Sequence, residues 1–434
     1  MKTNGNKHVA IVIVDGYSTG RELVRELSGR GVTCLHLRST PQIPSLVSKC
    51  FDVSAYDKDL GYLGPVDAAI DRLHVLRPDA VVAGSEWGVT FAEFVAHGLG
   101  LPTNRIETIS ARRNKFDMIE TVRAHGLRTA DQASVQTAQE AHAWAKRRGE
   151  WPVVVKPMLS AGSDGVVICN HHADIDHAFA QALYRENLLG CFNDRLMIQS
   201  YLSGPQFIVN TVSRGGRHFV SDAWHYAYRT VPGGSIAAGS MTLLDPSLSV
   251  SRELIAYTLA VLPALGIENG AAHSELRMTP QGPALIETGA RLMGGAMDVA
   301  PYQAAGLPTQ ASRYADALTA SNVVNYSAPG KSTYVFKRNL VKAFFVFDQA
   351  GTVRDTDGLS KLKALPSFHN HYRGLGKGAR VWRTSDSLFC GGVVYLVHDD
   401  PKQIDADLQQ FREWEAAGEL YALGPVTTEE SLAS

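Results

Sequence analysis

A chain of 434 residues is long enough for about two to four domains with sizeable cores. Its 45% hydrophobic and 20% charged residues are those of a globular protein, and with a net charge of -1 no global field draws nucleic acid or an acidic membrane. The five cysteines (Cys34, Cys50, Cys169, Cys191, Cys390) lie far apart, with no CxxC or Cys/His finger, which argues against a disulfide framework or zinc site and for a reducing, cytoplasmic setting. The polar start leads straight into a strand and no apolar stretch reaches bilayer length, so neither a signal peptide nor a membrane span is expected.

The continuous apolar run from His8 to Val14 ends in Asp15-Gly16 and predicts a buried parallel strand. A helix over Thr19 to Ser28, a strand over Val32 to Leu37, a helix over Ala68 to Leu76, a strand over Ala80 to Ala83 and a helix to Leu99 follow. This alternation predicts a small doubly wound α/β sheet. Ligands bind beyond the carboxyl ends of such strands, where Gly84-Ser85-Glu86 lies, so Glu86 is a candidate substrate contact, with capping or solvation as its alternatives. Leu101-Pro102 marks a boundary. Helices over Ala111 to His125 (carrying Asn114-Lys115) and Ala138 to Arg147 come next, then a strand, Trp151 to Pro157, a small-residue loop, and a strand, Val166 to Cys169. A helix over Ile175 to Tyr184, a strand over Leu196 to Gln199, strands through Gln206 to Tyr228 and a helix over Glu253 to Leu265 precede a hairpin. Asn325 to Gly330 reads as a linker. Beyond it, strands over Tyr334 to Phe336, Ala343 to Phe347 and Gly391 to Val397 and a helix over Ile404 to Ala417 are expected.

The hairpin is the most informative segment. Two extended runs flank Pro280-Gln281-Gly282; a three-residue loop centred on Gln281 sets Glu275 opposite Glu287 on one face. Opposed like charges destabilise a sheet, but a hard divalent cation between them would account for the pair; two solvated glutamates, or a register one residue off that sets them on opposite faces, are the alternatives. Arg291 follows, a planar donor suited to phosphate, with simple pairing to a glutamate as its alternative, then Gly294-Gly295. His273 shares the face of Glu275 and could touch substrate or a metal-bound phosphate, or be structural. Lys156 ends a run of three valines and must aim its ammonium at an anion such as a nucleotide phosphate. The following loop offers Ser160, Gly162 and Ser163, whose backbone N–H groups can approach phosphate oxygens. A surface hairpin with a solvated lysine is the alternative. Gln199, Ser200, Tyr201 and Leu202 can present backbone groups to an adenine edge, and Gln206 could reach a ribose hydroxyl. Gly330-Lys331-Ser332-Thr333 imitates the end of a P-loop, but Asn325 stands where its glycine would be and a strand is expected to follow.

In this order, Lys115, Lys156 with its glycine loop, the Gln199–Gln206 hinge, Glu275 and Glu287…Arg291 resemble the ATP-grasp superfamily over about residues 1–330. Residues 13–20, 209–213 and 273–279 look like the bacterial L-amino-acid ligases, dipeptide synthetases of antibiotic pathways of the bacilysin, tabtoxin and dapdiamide type. The resemblance implies an α/β ATP-grasp fold with an N-terminal pre-grasp domain (1–110), helices and lid (111–198), a metal-binding core (199–325) and an α+β C-terminal subdomain (326–434). It implies Lys115 and Lys156 on ATP phosphates, the 160–165 loop over them, adenine on residues 199–202, Gln206 near the ribose, and two Mg²⁺ (or Mn²⁺) on Glu275 and Glu287. Arg291, with Glu86, His273 and Gly294 about it, would contact the transferred phosphate and the substrate. Many relatives carry acids where Gln199 and Gln206 stand, and a metal-binding Asn where this chain has Gly289. The implied activity is ADP-forming ligation of two L-amino acids through an acylphosphate, with small molecules as the only partners and a homodimer left open. A ligase or carboxylase with another acceptor, and a non-catalytic ATP-binding protein, are the rival readings.

Overall fold

The computed structural model describes residues 9–48, 51–230, 236–320, 332–384 and 391–425. The expected linker Asn325 to Gly330 lies outside them. The chain divides into two compact units, one of residues 1–223, 247–297 and 309–334, the other of residues 224–246, 298–308 and 335–434.

The first unit begins with a four-stranded parallel sheet in the order Lys58–Tyr62, Thr33–Arg38, Ala10–Val14, Ala80–Ala83. Val12 and Val14 pack with Leu35, Leu37, Val81 and Val95 in its core. The helices Gly20–Ser28, Val66–Leu76 and Val89–Gly98 match the expected ones within a few residues. The edge strand Lys58–Tyr62 was not expected.

A second, antiparallel sheet has the order Gln132–Val135, Leu196–Ser200, Val153–Pro157, Val167–Cys169. Helices Ala138–Arg148 and His172–Ala182 pack on it through Ala141, Ala145, Ile175, Ala178 and Phe179. The first is started by Thr137, whose side chain accepts from Glu140 N at 3.2 Å. Ahead of this sheet comes helix Lys115–Ala124, shorter than expected because Asn114 caps it: its side chain accepts from Phe116 N at 2.9 Å. That cap fixes Lys115 in the first turn.

Strands Gly282–Gly289, Gly270–Thr279 and Gln206–Arg214 lie side by side, antiparallel, next to the start of Arg217–Thr230. They carry most of the candidate site.

In the second unit, Ile236–Leu243, Asn339–Phe344, Val393–His398 and Phe368–Tyr372 form antiparallel pairs in that order. Phe345, Val394, Leu396, Ile404 and Phe411 bury helix Pro401–Ala416 against them. The expected strand over Tyr334 to Phe336 is not formed; only Thr333 makes an isolated bridge, to Val220. Among the described residues no helix is long and apolar enough to cross a membrane.

Candidate active site

The hairpin pairs His273 with Gly289, Ser274 with Thr288 and Glu275 with Glu287. Past Glu275 the register slips by one residue, so that Leu276 faces Leu285 and Thr279 faces Gly282. The connection is therefore two residues, Pro280-Gln281, not the three expected. A bulge that leaves Ile286 as the extra residue restores the facing glutamates.

Each carboxylate already has partners. Glu287 Oε2 is 2.8 Å from Lys115 Nζ, which also donates to Ser160 O at 2.6 Å. Burial alone would raise the Glu287 pKa; Lys115 and Lys156 outweigh it and hold the group below its ordinary value. Glu275 Oε2 accepts from Gln206 Nε2 at 2.9 Å, and Oε1 lies 3.2 Å from His273 Nε2. Lys156, at the end of Val153–Pro157, is buried. Desolvation pushes its pKa down to about 8, against the pull of Glu287 and Glu275. Two facing carboxylates are the oxygen donors that a hard divalent cation takes, and the lysines beside them suit the phosphates such a cation would carry. Among the described residues no three carboxylate, imidazole or thiol groups yet stand in coordinating geometry. Lys115 occupies the place of a cation at Glu287, and would have to turn to a phosphate for an ion to bind there.

Glu86 borders this face. The loops after Ala10–Val14 and Ala80–Ala83 meet through bare backbone: a Cβ on Gly84 would fall 2.5 Å from Gly16 Cα. That contact sets the turn from which Glu86 projects. One of its oxygens accepts from Arg113 Nη1, the other from Arg291 Nε at 2.7 Å. Burial opposes its charge, but Arg291, Arg113 and Lys115 prevail and hold its pKa at about 2. Glu86 thus holds Arg291 in place, rather than standing open to a substrate as expected. Gly289 lies against this pair; a Cβ there would be 3.3 Å from Arg291 Cζ and 3.4 Å from Glu86 Oε2.

The loop after Lys156 is built for backbone donation. Gly162 and Ser163 both have left-handed φ, 64° and 65°. Ser160 is buried and donates to Asp164 Oδ2 at 2.7 Å, which also accepts from Leu188 N at 2.8 Å. Gly294 sits in a bend after Arg291, with nothing within 4 Å of where a Cβ would be.

The hinge departs from expectation. Gln199 donates to Gln132 Oε1 at 2.8 Å, and the Ser200 N–H is spent on Asp131 O at 2.8 Å. That donor is therefore closed to adenine, which leaves Tyr201 and Leu202. The Arg277 guanidinium lies over the Tyr201 ring at 5.6 Å. Gln206 donates to Glu275, because residues 206, 208 and 210 share the carboxylate face.

Sequence reasoning missed Arg113, Asn210 and Asp222. Arg113 sits in an Arg-Arg-Asn-Lys run that reads as solvated surface. Asn210 carried a usable signal: an amide inside the apolar strand Gln206–Arg214 must find a partner.

The facing glutamates, the two lysines with their small-residue loop, and the arginine held by Glu86 stand together at this face. The chain belongs to the ATP-grasp family of ligases. The ATP-grasp domain profile matches residues 149–299. The chain is 30% identical to dapdiamide A synthase of Enterobacter agglomerans over 429 residues, 98% of this chain and 99% of that one. It is 24% identical over 220 residues to the L-arginine-specific L-amino acid ligase of Bacillus subtilis, covering 50% of this chain and 52% of that one. In fold it matches the L-amino acid ligase from Bacillus licheniformis with a TM-score of 0.74 at 16% identity, over 97% of this chain and all of the other. An N5-carboxyaminoimidazole ribonucleotide synthetase crystallised with ADP matches with a TM-score of 0.68 at 16% identity, over 94% and 97% of the two chains. The mixed α/β ATP-grasp fold is thus shared by enzymes with different acceptors.

Proposed function

We propose that the protein joins two L-amino acids into a dipeptide, consuming ATP and releasing ADP and phosphate. The carrying observation is the face on which Glu275 and Glu287 stand paired, with Lys115, Lys156 and the clamped Arg291 about them. The likeness to an L-arginine-specific L-amino acid ligase favours amino acids as substrates, within the family that the near full-length likeness to dapdiamide A synthase sets.

In this reading the carboxylate of one amino acid attacks the γ-phosphate in line and ADP leaves. Lys115, released from Glu287, and Lys156 bind phosphate oxygens, and the 160–165 loop covers them. Glu275 and Glu287 would hold Mg²⁺, which would offset the charge of the transferred phosphate. Arg291, held through Nε by Glu86 and through Nη1 by the Leu292 carbonyl, directs Nη2 at the acylphosphate and at the oxyanion of the tetrahedral intermediate. The amine of the second amino acid attacks the acyl carbon, loses a proton, and phosphate departs. With its pKa at about 2, Glu86 remains ionised throughout and acts as a clamp, not a base.

A phosphate-release screen over pairs of common amino acids, with mass detection of the product, tests this. A dipeptide with ADP supports it. Turnover only with bicarbonate or a sugar-phosphate amine, or formation of AMP and pyrophosphate, overturns it.

A further inference from the structure

We propose that Asp164 and Asn187 are positioning residues: they tie the loop over 159–165 to a neighbouring hairpin, 184–193, and so hold it in the shape in which it closes over nucleotide phosphates. The inference rests on the reading of that loop as a phosphate cover given above.

The loop needs outside support to keep its shape. Gly162, Ser163 and Gly165 all have left-handed φ, 64°, 65° and 68°, and for Ser163 that region is unfavourable. Within the loop there are two turn bonds, from Asp164 N to Ala161 O and from Val166 N to Ser163 O, both at 3.2 Å. A backbone in such a conformation persists where its surroundings fix it. Asp164 also carries the wrong charge for a loop that covers phosphates, because like charges repel. Its use lies in what it accepts. Oδ2 takes the Ser160 hydroxyl at 2.7 Å and the Leu188 N–H at 2.8 Å, so one oxygen folds the loop on itself and fastens it to the hairpin.

Asn187 is the second tie. Its Oδ1 accepts from Leu189 N at 3.0 Å and from Cys191 N at 3.1 Å, which fixes the turn of the hairpin. With the oxygen so engaged, the amide nitrogen faces the other way, where it donates to Leu159 O and, at 2.9 Å, to Asn193 Oδ1. Asn193 is buried and donates through Nδ2, at 3.1 Å, to the carbonyl of Ala182, the last residue of helix His172–Ala182. The hairpin is closed by Tyr184 N donating to Asn193 O at 2.7 Å, Asn193 N to Arg185 O at 2.9 Å and Asn187 N to Cys191 O at 2.9 Å. The loop is therefore anchored to the end of a helix through a chain of amides. It is held at Leu159, before its turn, and at Asp164, after it, with the backbone of residues 160–163 set between these two fixed points.

The test is hydrogen–deuterium exchange, followed by mass spectrometry, of the full-length protein with and without ADP and Mg²⁺. ADP is expected to slow exchange over 159–165 in the wild type, and over 184–193 with it. Asp164→Ala and Asn187→Asp should reduce that protection about tenfold and weaken ADP binding by a similar factor, the effect of leaving a hydrogen-bonding group unpaired. Asp164→Asn, whose amide oxygen still accepts both bonds, should restore protection and affinity. Wild-type protection and affinity in Asp164→Ala and Asn187→Asp, or an Asp164→Asn variant no better than Asp164→Ala, overturns the inference. ADP that binds the wild type without slowing 159–165 overturns the reading of the loop as a phosphate cover. If the variants fail to fold, the wild type still decides: hairpin amides that ignore ADP while the loop responds would show that the two are not coupled, and overturn the inference.

Discussion

Replacing Glu86 with Gln removes the charge that clamps Arg113 and Arg291 while keeping the side chain's shape. The carboxyl, mostly buried, is shifted from 4.5 to about 2. At ~1.4 kcal/mol per pKa unit, that shift is worth about 3 kcal/mol in favour of the charged form. The folded pKa is depressed, so this stabilisation is complete above about pH 4.5 and is lost as pH falls toward 2. Wild type and Glu86→Gln should therefore differ by about 3 kcal/mol in urea unfolding followed by tryptophan fluorescence at pH 7. The gap should narrow to about 1.5 kcal/mol at pH 3. The catalytic consequence is separate: Arg291, no longer held through Nε, should cost kcat about a hundredfold. Equal urea midpoints at pH 7, or a gap that does not shrink on acidification, would refute the reasoning.

Lys156, with its pKa pushed down to about 8, is cationic below that pH and neutral above it. ADP affinity measured by calorimetry should fall as pH rises past 8, by up to about tenfold per unit, and the fall should be absent in Lys156→Arg, whose charge persists. Asn114→Ala removes the cap that seats Lys115 and should cost about 1 kcal/mol, seen as a lower thermal midpoint together with a raised KM for ATP. Gly204→Ala should destabilise by about 2 kcal/mol or more, because φ there is 108° and the new Cβ would lie 2.0 Å from Met278 O. Wild-type stability in that variant would show that the hinge backbone relaxes freely.

The sequence made much of this site legible for physical reasons. Lys156 was marked by an ionisable group among valines, which burial obliges to have a purpose. The facing glutamates followed from strand periodicity, although the bulge at Ile286, not loop length, makes the pairing work. Side-chain direction was less legible. The strands that carry Gln206 and Gln199 were expected, but their amides serve Glu275 and Gln132, partners distant in sequence. Glu86 was found as a residue beyond a strand end, yet its clamping role depends on Arg113, which local pattern leaves on the surface. Strand Lys58–Tyr62 escaped because a short, largely exposed edge strand that opens on Lys58-Asp59 and carries Gly61 has few of the residues that favour strands.

In the proposed reaction, phosphate moves from ATP to a substrate carboxylate on the Glu275–Glu287 face. It is tested most directly by supplying the first amino acid with oxygen-18 in its carboxylate and examining the released phosphate by mass. One labelled oxygen per dipeptide formed, lost in Glu287→Gln, is the predicted result. Unlabelled phosphate, or label recovered in AMP, would contradict it.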